Sequence, residues 1–89
     1  MKREEIKVPV YFNTDVTENS AKISQELGMD VALSPDDFDL KDVYIMTDKI
    51  SFYGERDFYG ETVVGVEMDV STIYVKMSID DFRKKLWGE

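Results

Sequence analysis

The chain has 89 residues, of which 43% are hydrophobic and 12% aromatic, and its 11 basic against 19 acidic side chains give a formal net charge of −8. That charge repels nucleic-acid phosphates and anionic lipid headgroups, so nucleic acid and membrane surfaces are excluded and a partner protein with a basic surface is favoured. The absence of cysteine and histidine removes disulfides, thiolate nucleophiles, zinc–thiolate sites and the side chain best suited to proton transfer near neutral pH, and most hydrolase triads go with them.

Residues 1–89 are too few for two cores, so one compact domain is expected, folding in a reducing, cytoplasmic compartment as a monomer or homodimer. Met1 to Glu5 lead into alternating residues with no apolar core, and no apolar run reaches the length of a membrane span.

In chain order, Ile6, Val8, Val10 and Phe12 alternate with Lys7, Pro9 and Tyr11, the period of a strand with one buried face. Proline cannot donate to a ladder, so Pro9 places this strand at a sheet edge or marks its one break. Thr17 as a cap, Ile23 and Leu27 four apart, and Gly28 as a left-handed stop predict a helix from about Glu18 to Leu27. Its narrow stripe of Ala21, Ile23 and Leu27 is expected to cover a sheet face.

A short extended piece follows from Met29 to Leu33. Ser34-Pro35-Asp36-Asp37 then combines a cap, a proline at the first helical position and first-turn carboxylates, with Leu33 and Phe38 as a hydrophobic staple, and predicts one or two helical turns. Between Val43 and Tyr53 the parity changes, with Val43 and Ile45 on one face and Ile50 and Phe52 on the other, which predicts a bulge or turn near Thr47-Asp48-Lys49.

Thr62 to Met68 and Thr72 to Ser78 form a hairpin that pairs Met68 with Ile73, Val66 with Val75 and Val64 with Met77 on one buried face. Ser78 caps a closing helix with Met77 and Phe82 as its staple and with Ile79, Phe82 and Leu86 on one side, while Arg83, Lys84 and Lys85 sit where the helix dipole favours cations. The expected class is therefore α+β, a small antiparallel sheet of about four strands with one face covered by a helix from the N-terminal half and a C-terminal helix. Such a pattern ending in a capped basic helix recurs in small bacterial and phage proteins, but a shared pattern carries no function.

The chemistry-bearing candidates are few. Phe52-Tyr53-Gly54-Glu55 is echoed by Phe58-Tyr59-Gly60-Glu61, which predicts an aromatic hairpin around a loop of Gly54 to Asp57. Because Ile50 shares parity with Phe52, Phe52 and Tyr59 are expected inside, leaving Tyr53 and Phe58, with Glu55, Arg56 and Asp57, as the partner-contact residues.

Glu55 and Glu61 could serve as a carboxylate pair for glycoside chemistry only if they converged in a cleft. Asp36, Asp37, Asp39, Asp42 and Asp48 match no calcium loop: counted from Asp37, Asp42 and Asp48 stand where an EF-hand needs glycine and glutamate. No phosphate-binding glycine loop or dinucleotide fingerprint is present, so no cofactor, metal or catalytic residue is assigned. These readings point to a non-catalytic, protein-binding or regulatory protein. The alternative is an acidic mimic of DNA that occupies a DNA-binding protein, with a carboxylate enzyme a more remote third reading.

Overall fold

The structure is a computed structural model that describes residues 4–28 and 33–88. Its elements are β1 (Glu5–Phe12), α1 (Asp15–Leu27), a 3₁₀ turn (Pro35–Asp37), β2 (Asp39–Met46), a second 3₁₀ turn (Thr47–Lys49), β3 (Ile50–Phe58), β4 (Glu61–Met68), β5 (Thr72–Val75) and α2 (Ile79–Trp87). The class is α+β, with all five strands antiparallel in the order β2-β1-β5-β4-β3. There are five strands and not about four, because the stretch from Val43 to Tyr53 breaks at Thr47–Lys49 into two strands on opposite edges. No helix among the described residues is long and apolar enough to cross a membrane.

Those two edge strands are joined by three residues. Met46 to Ile50 can span at most about 14 Å, whereas the outer strands of a flat five-stranded sheet lie about 19 Å apart. The sheet must therefore curl until its edges approach at this corner. Thr47 pins the corner: its backbone N–H and its hydroxyl both donate to the Glu4 carbonyl, at 2.9 and 3.0 Å.

The curled sheet wraps around α2. Ile6, Val8 and Val10 of β1, Ile45 of β2, Val64 and Val66 of β4 and Val75 of β5 form one buried cluster with Phe82 and Leu86 of α2. The Ser78 hydroxyl accepts from Asp81 N–H at 3.1 Å, and Gly88 ends the helix in a left-handed conformation at φ 75°. The predicted cap and the predicted inner face of α2 are both present.

The β4–β5 pairing differs from the predicted register by two residues. Val66 faces Ile73 and Val64 faces Val75, with Glu67 opposite Thr72. The connection from Met68 to Ser71 closes with a bond from Met68 N–H to the Ser71 carbonyl at 2.8 Å, which sets the slip. A shift of two leaves every side chain on its predicted face, so Val64 and Val66 stay buried and Met68, Ile73 and Met77 are partly buried against the same core.

β1 is interior and not an edge. The Pro9 carbonyl accepts from Lys76 N–H at 2.9 Å, so its donor-less nitrogen lies on the β5 side, where one bridge, Val10 to Val75, is the whole β1–β5 ladder. The break predicted at Pro9 falls there.

α1 begins three residues earlier than predicted and turns its apolar side outward. Thr14 is the cap, in reciprocal bonding with Thr17, and its hydroxyl donates to the Asp37 carbonyl at 2.8 Å. This tie sets the rotation of the helix: Thr17 and Ser20 are buried, while Ile23 and Leu27 are 44% and 65% exposed. The expected apolar coverage of a sheet face by Ala21, Ile23 and Leu27 is thus overturned. Gly28 ends the helix at φ 64°, as predicted. The extended piece expected from Met29 lies, apart from Leu33, outside the described residues.

An aromatic groove as candidate functional site

Alternation along the strands sends a second set of side chains to the outer sheet face. β1 contributes Tyr11, β3 Phe58, β4 Val63 and β5 Tyr74, and Phe38 joins them from the end of the first 3₁₀ turn. Phe58 is the hub. Its ring stacks on Tyr11 at 4.7 Å with 17° between planes, and lies 4.7 Å from Phe38, 4.9 Å from Tyr59 and 5.0 Å from Tyr74. Offset and edge-on pairs of this kind add to the burial of the rings.

Above these rings is an open cavity of about 330 Å³, lined by Tyr11, Phe12, Asn13, Phe38, Tyr59 and Tyr74 among others. A second cavity of about 220 Å³ continues between the rings and α1, whose Thr17, Ser20 and Ser24 form its far wall. Asn13, Phe38 and Tyr59 line both, so the two make one groove with an aromatic floor and a hydroxyl-bearing wall.

The groove has a negative margin. The Tyr11 hydroxyl donates to Glu61 Oε1 at 2.8 Å. Burial first, then this bond, then the charges of Glu61 and Asp36 push the phenol up to about 12 from its usual 10.0.

The turn between β3 and β4 is Tyr59-Gly60, with φ 51° and 91°. Both residues in the left-handed region suit a two-residue hairpin turn, where asparagine or glycine is the ordinary occupant of the first place. Here it is tyrosine, 50% exposed, with its ring 5.1 Å from Phe38.

The predicted contact residues are placed differently. Gly54 to Asp57 lie within β3 and are not a loop. Phe58 is 6% exposed, at the centre of the ring cluster, and Tyr53 is half-buried against Phe82 with ring centroids 5.0 Å apart. The pair expected inside, Phe52 and Tyr59, is instead 59% and 50% exposed.

A bulge reverses Phe52 and Tyr53, while the turn at Tyr59-Gly60, not Gly54 to Asp57, leaves Tyr59 at the tip and Phe58 in the outer-face ring cluster. Ile50 faces Met68 but Phe52 faces Glu67, so Ser51 is an extra residue that flips the parity after it. Tyr53 then points to α2, and Phe52 and Phe58 point out. Glu55, Arg56 and Asp57 are exposed on the strand, with Glu55 on the α2 side opposite Val64 and Arg56 on the outer face. Glu61 is on the outer face with Tyr11, so Glu55 and Glu61 stand on opposite sides of the sheet and do not converge.

Asp37 and Asp42 of the acidic run each have a side-chain partner. Asp37 accepts from Ser34 N–H at 2.9 Å, and Asp42 lies 4.0 Å from Lys7 Nζ. Among the described residues, no group of three or more acidic side chains is gathered closely enough to hold a metal ion.

Tyr11, Phe38 and Tyr74 carry no site role in the sequence pattern. The available signal was parity: Tyr11 and Tyr74 are large aromatics on the strand positions opposite the valine rows, a sign that the outer face also packs against something. No protein-family model, curated protein or solved structure matches this chain.

Proposed function

We propose that this chain is a small contact protein that binds another protein by seating an extended segment of it in the aromatic groove. It acts by occupancy and not by catalysis, and a regulatory role in a reducing compartment suits its cysteine-free composition.

The observation that carries this reading is Tyr59. A non-glycine residue in the left-handed region costs about 1 kcal/mol, and leaving half of a large ring in water forfeits part of the burial that would offset it. Asparagine, whose short polar side chain bonds locally, would hold the turn at lower cost and with no large ring left in water. A tyrosine kept there, on the wall common to both cavities, is what a binding surface requires, since tyrosine gives large contact area for little side-chain entropy. Asn13 and the hydroxyls of Ser20 and Ser24 on the facing wall are suited to bond the backbone of an extended segment.

The test is Tyr59→Asn in paired affinity captures with quantitative mass spectrometry. A protein enriched by the wild type should be lost from the variant while the thermal midpoint is unchanged or raised. Equal capture by the two proteins would place the contact surface elsewhere.

A further inference from the structure

We infer that the segment bound in the groove presents an arginine side chain, its guanidinium lying over the Tyr59 and Phe38 rings and donating to the Glu61 carboxylate. This rests on the reading of the groove as the contact site and adds the chemistry of its occupant.

The groove is negative in two independent ways. Its floor is built of aromatic rings, whose π-systems attract cations. No lysine or arginine lines either cavity, and among the described residues the one cation over a lining ring, Lys41 Nζ, stands 5.9 Å from the centre of Phe12 and not over Tyr59 or Phe38. At its margin Glu61 accepts from the hydroxyl of the lining Tyr11, and Asp36 precedes the lining Phe38 by two residues, although neither carboxylate lines a cavity itself.

Among the described residues, neither carboxylate has an ion-pair partner. The single ion pair among the described residues is Lys7 with Asp42. The bond from Tyr11 occupies Oε1 of Glu61 and leaves Oε2 to accept. A planar, weakly hydrated guanidinium can stack on rings and donate to a carboxylate at once, whereas a compact ammonium must choose. A neutral apolar segment would leave Glu61 without a cation, and an acidic one would be repelled.

Fluorescein-labelled decapeptides of alternating proline and alanine with one central arginine, citrulline or glutamate are suitable probes, because proline keeps them extended. Citrulline has the shape of arginine without its charge. By fluorescence anisotropy the arginine peptide should bind about tenfold tighter than the citrulline peptide, and the glutamate peptide weakest. Added salt should narrow the arginine preference. Glu61→Gln should abolish most of that preference while Tyr11 still donates to the amide oxygen. Should Glu61→Gln lower the thermal midpoint, Asp36→Asn must reduce the preference in the same direction.

Equal binding of arginine and citrulline peptides, with both lost in Tyr59→Asn, would overturn the arginine inference and leave the groove as the contact site. Undiminished arginine binding by Tyr59→Asn would overturn both. No measurable binding of the arginine peptide to the wild type would also refute the inference, and the paired captures would then judge the groove alone.

Discussion

The aliphatic stem of Arg56 lies across the bare backbone of Gly65: a Cβ at position 65 would stand 3.3 Å from Arg56 Cδ and 3.2 Å from Nε, and closer still to Cγ. Gly54 and Gly65 are directly paired, so the two hairpin strands present a trough on the outer face into which the arginine settles. Gly65→Ala is expected to destabilise the domain by about 1–3 kcal/mol through overpacking. In an Arg56→Ala background the same change should cost little. Urea unfolding of the two single variants and the double variant checks this, and additive effects would mean that the two residues do not meet.

The two tyrosines of the repeated Phe-Tyr-Gly-Glu motif should separate stability from contact. Tyr53 packs on the fully buried Phe82, so Tyr53→Ala should lower stability by about 2 kcal/mol. Tyr59→Asn should leave stability intact. Thermal melts of both variants decide it, and a large loss for Tyr59→Asn would make that ring part of the core.

Tyr11 gives the domain an alkaline dependence of known sign. The unfolded chain releases this proton near pH 10.0 and the folded chain near 12. Below pH 10 both states keep the phenol neutral and its ionisation contributes nothing to the dependence on pH. As pH rises from 10 towards 12 only the unfolded state has lost the proton, so stability falls, by up to about 3 kcal/mol. Tyr11→Phe should flatten that decline in denaturant titrations across the same window, while costing about 1 kcal/mol at neutral pH for the lost bond to Glu61.

The outward stripe of α1 makes an unusual demand on a helix. Ile23→Lys and Leu27→Lys should each change stability by less than about 0.5 kcal/mol, because both side chains are already solvated. Thr14→Ala should cost about 1 kcal/mol, since it removes the cap and the tie to the Asp37 carbonyl. If the lysine variants unfold and the Thr14 variant does not, the helix is rotated from the orientation described.

Much of this fold follows from local pattern. The alternation of Ile6, Val8 and Val10, the Ser78 cap with Phe82 and Leu86 on one side, the Gly28 stop and the turn at Thr47–Lys49 are each specified by residues within a few positions of one another. The faces of β4 and β5 were equally legible, because side-chain direction repeats every two residues and survives a slip of two.

What local pattern does not encode is any choice made by a distant partner. The extra residue at Ser51 is set by pairing with β4 and exchanges the directions of Phe52 and Tyr53, while the exposures of Phe58 and Tyr59 are set by the turn at Tyr59-Gly60 and the rings that gather on the outer face. The rotation of α1 is set by Thr14 reaching the Asp37 carbonyl 23 residues away, which overrides the apolar stripe of the helix itself. The aromatic groove exists only where β1, β3, β5, the 3₁₀ turn and α1 converge. Parity and helical phase are conserved along a segment, but a bulge or a single long-range hydrogen bond resets them, and those are decided by the tertiary structure.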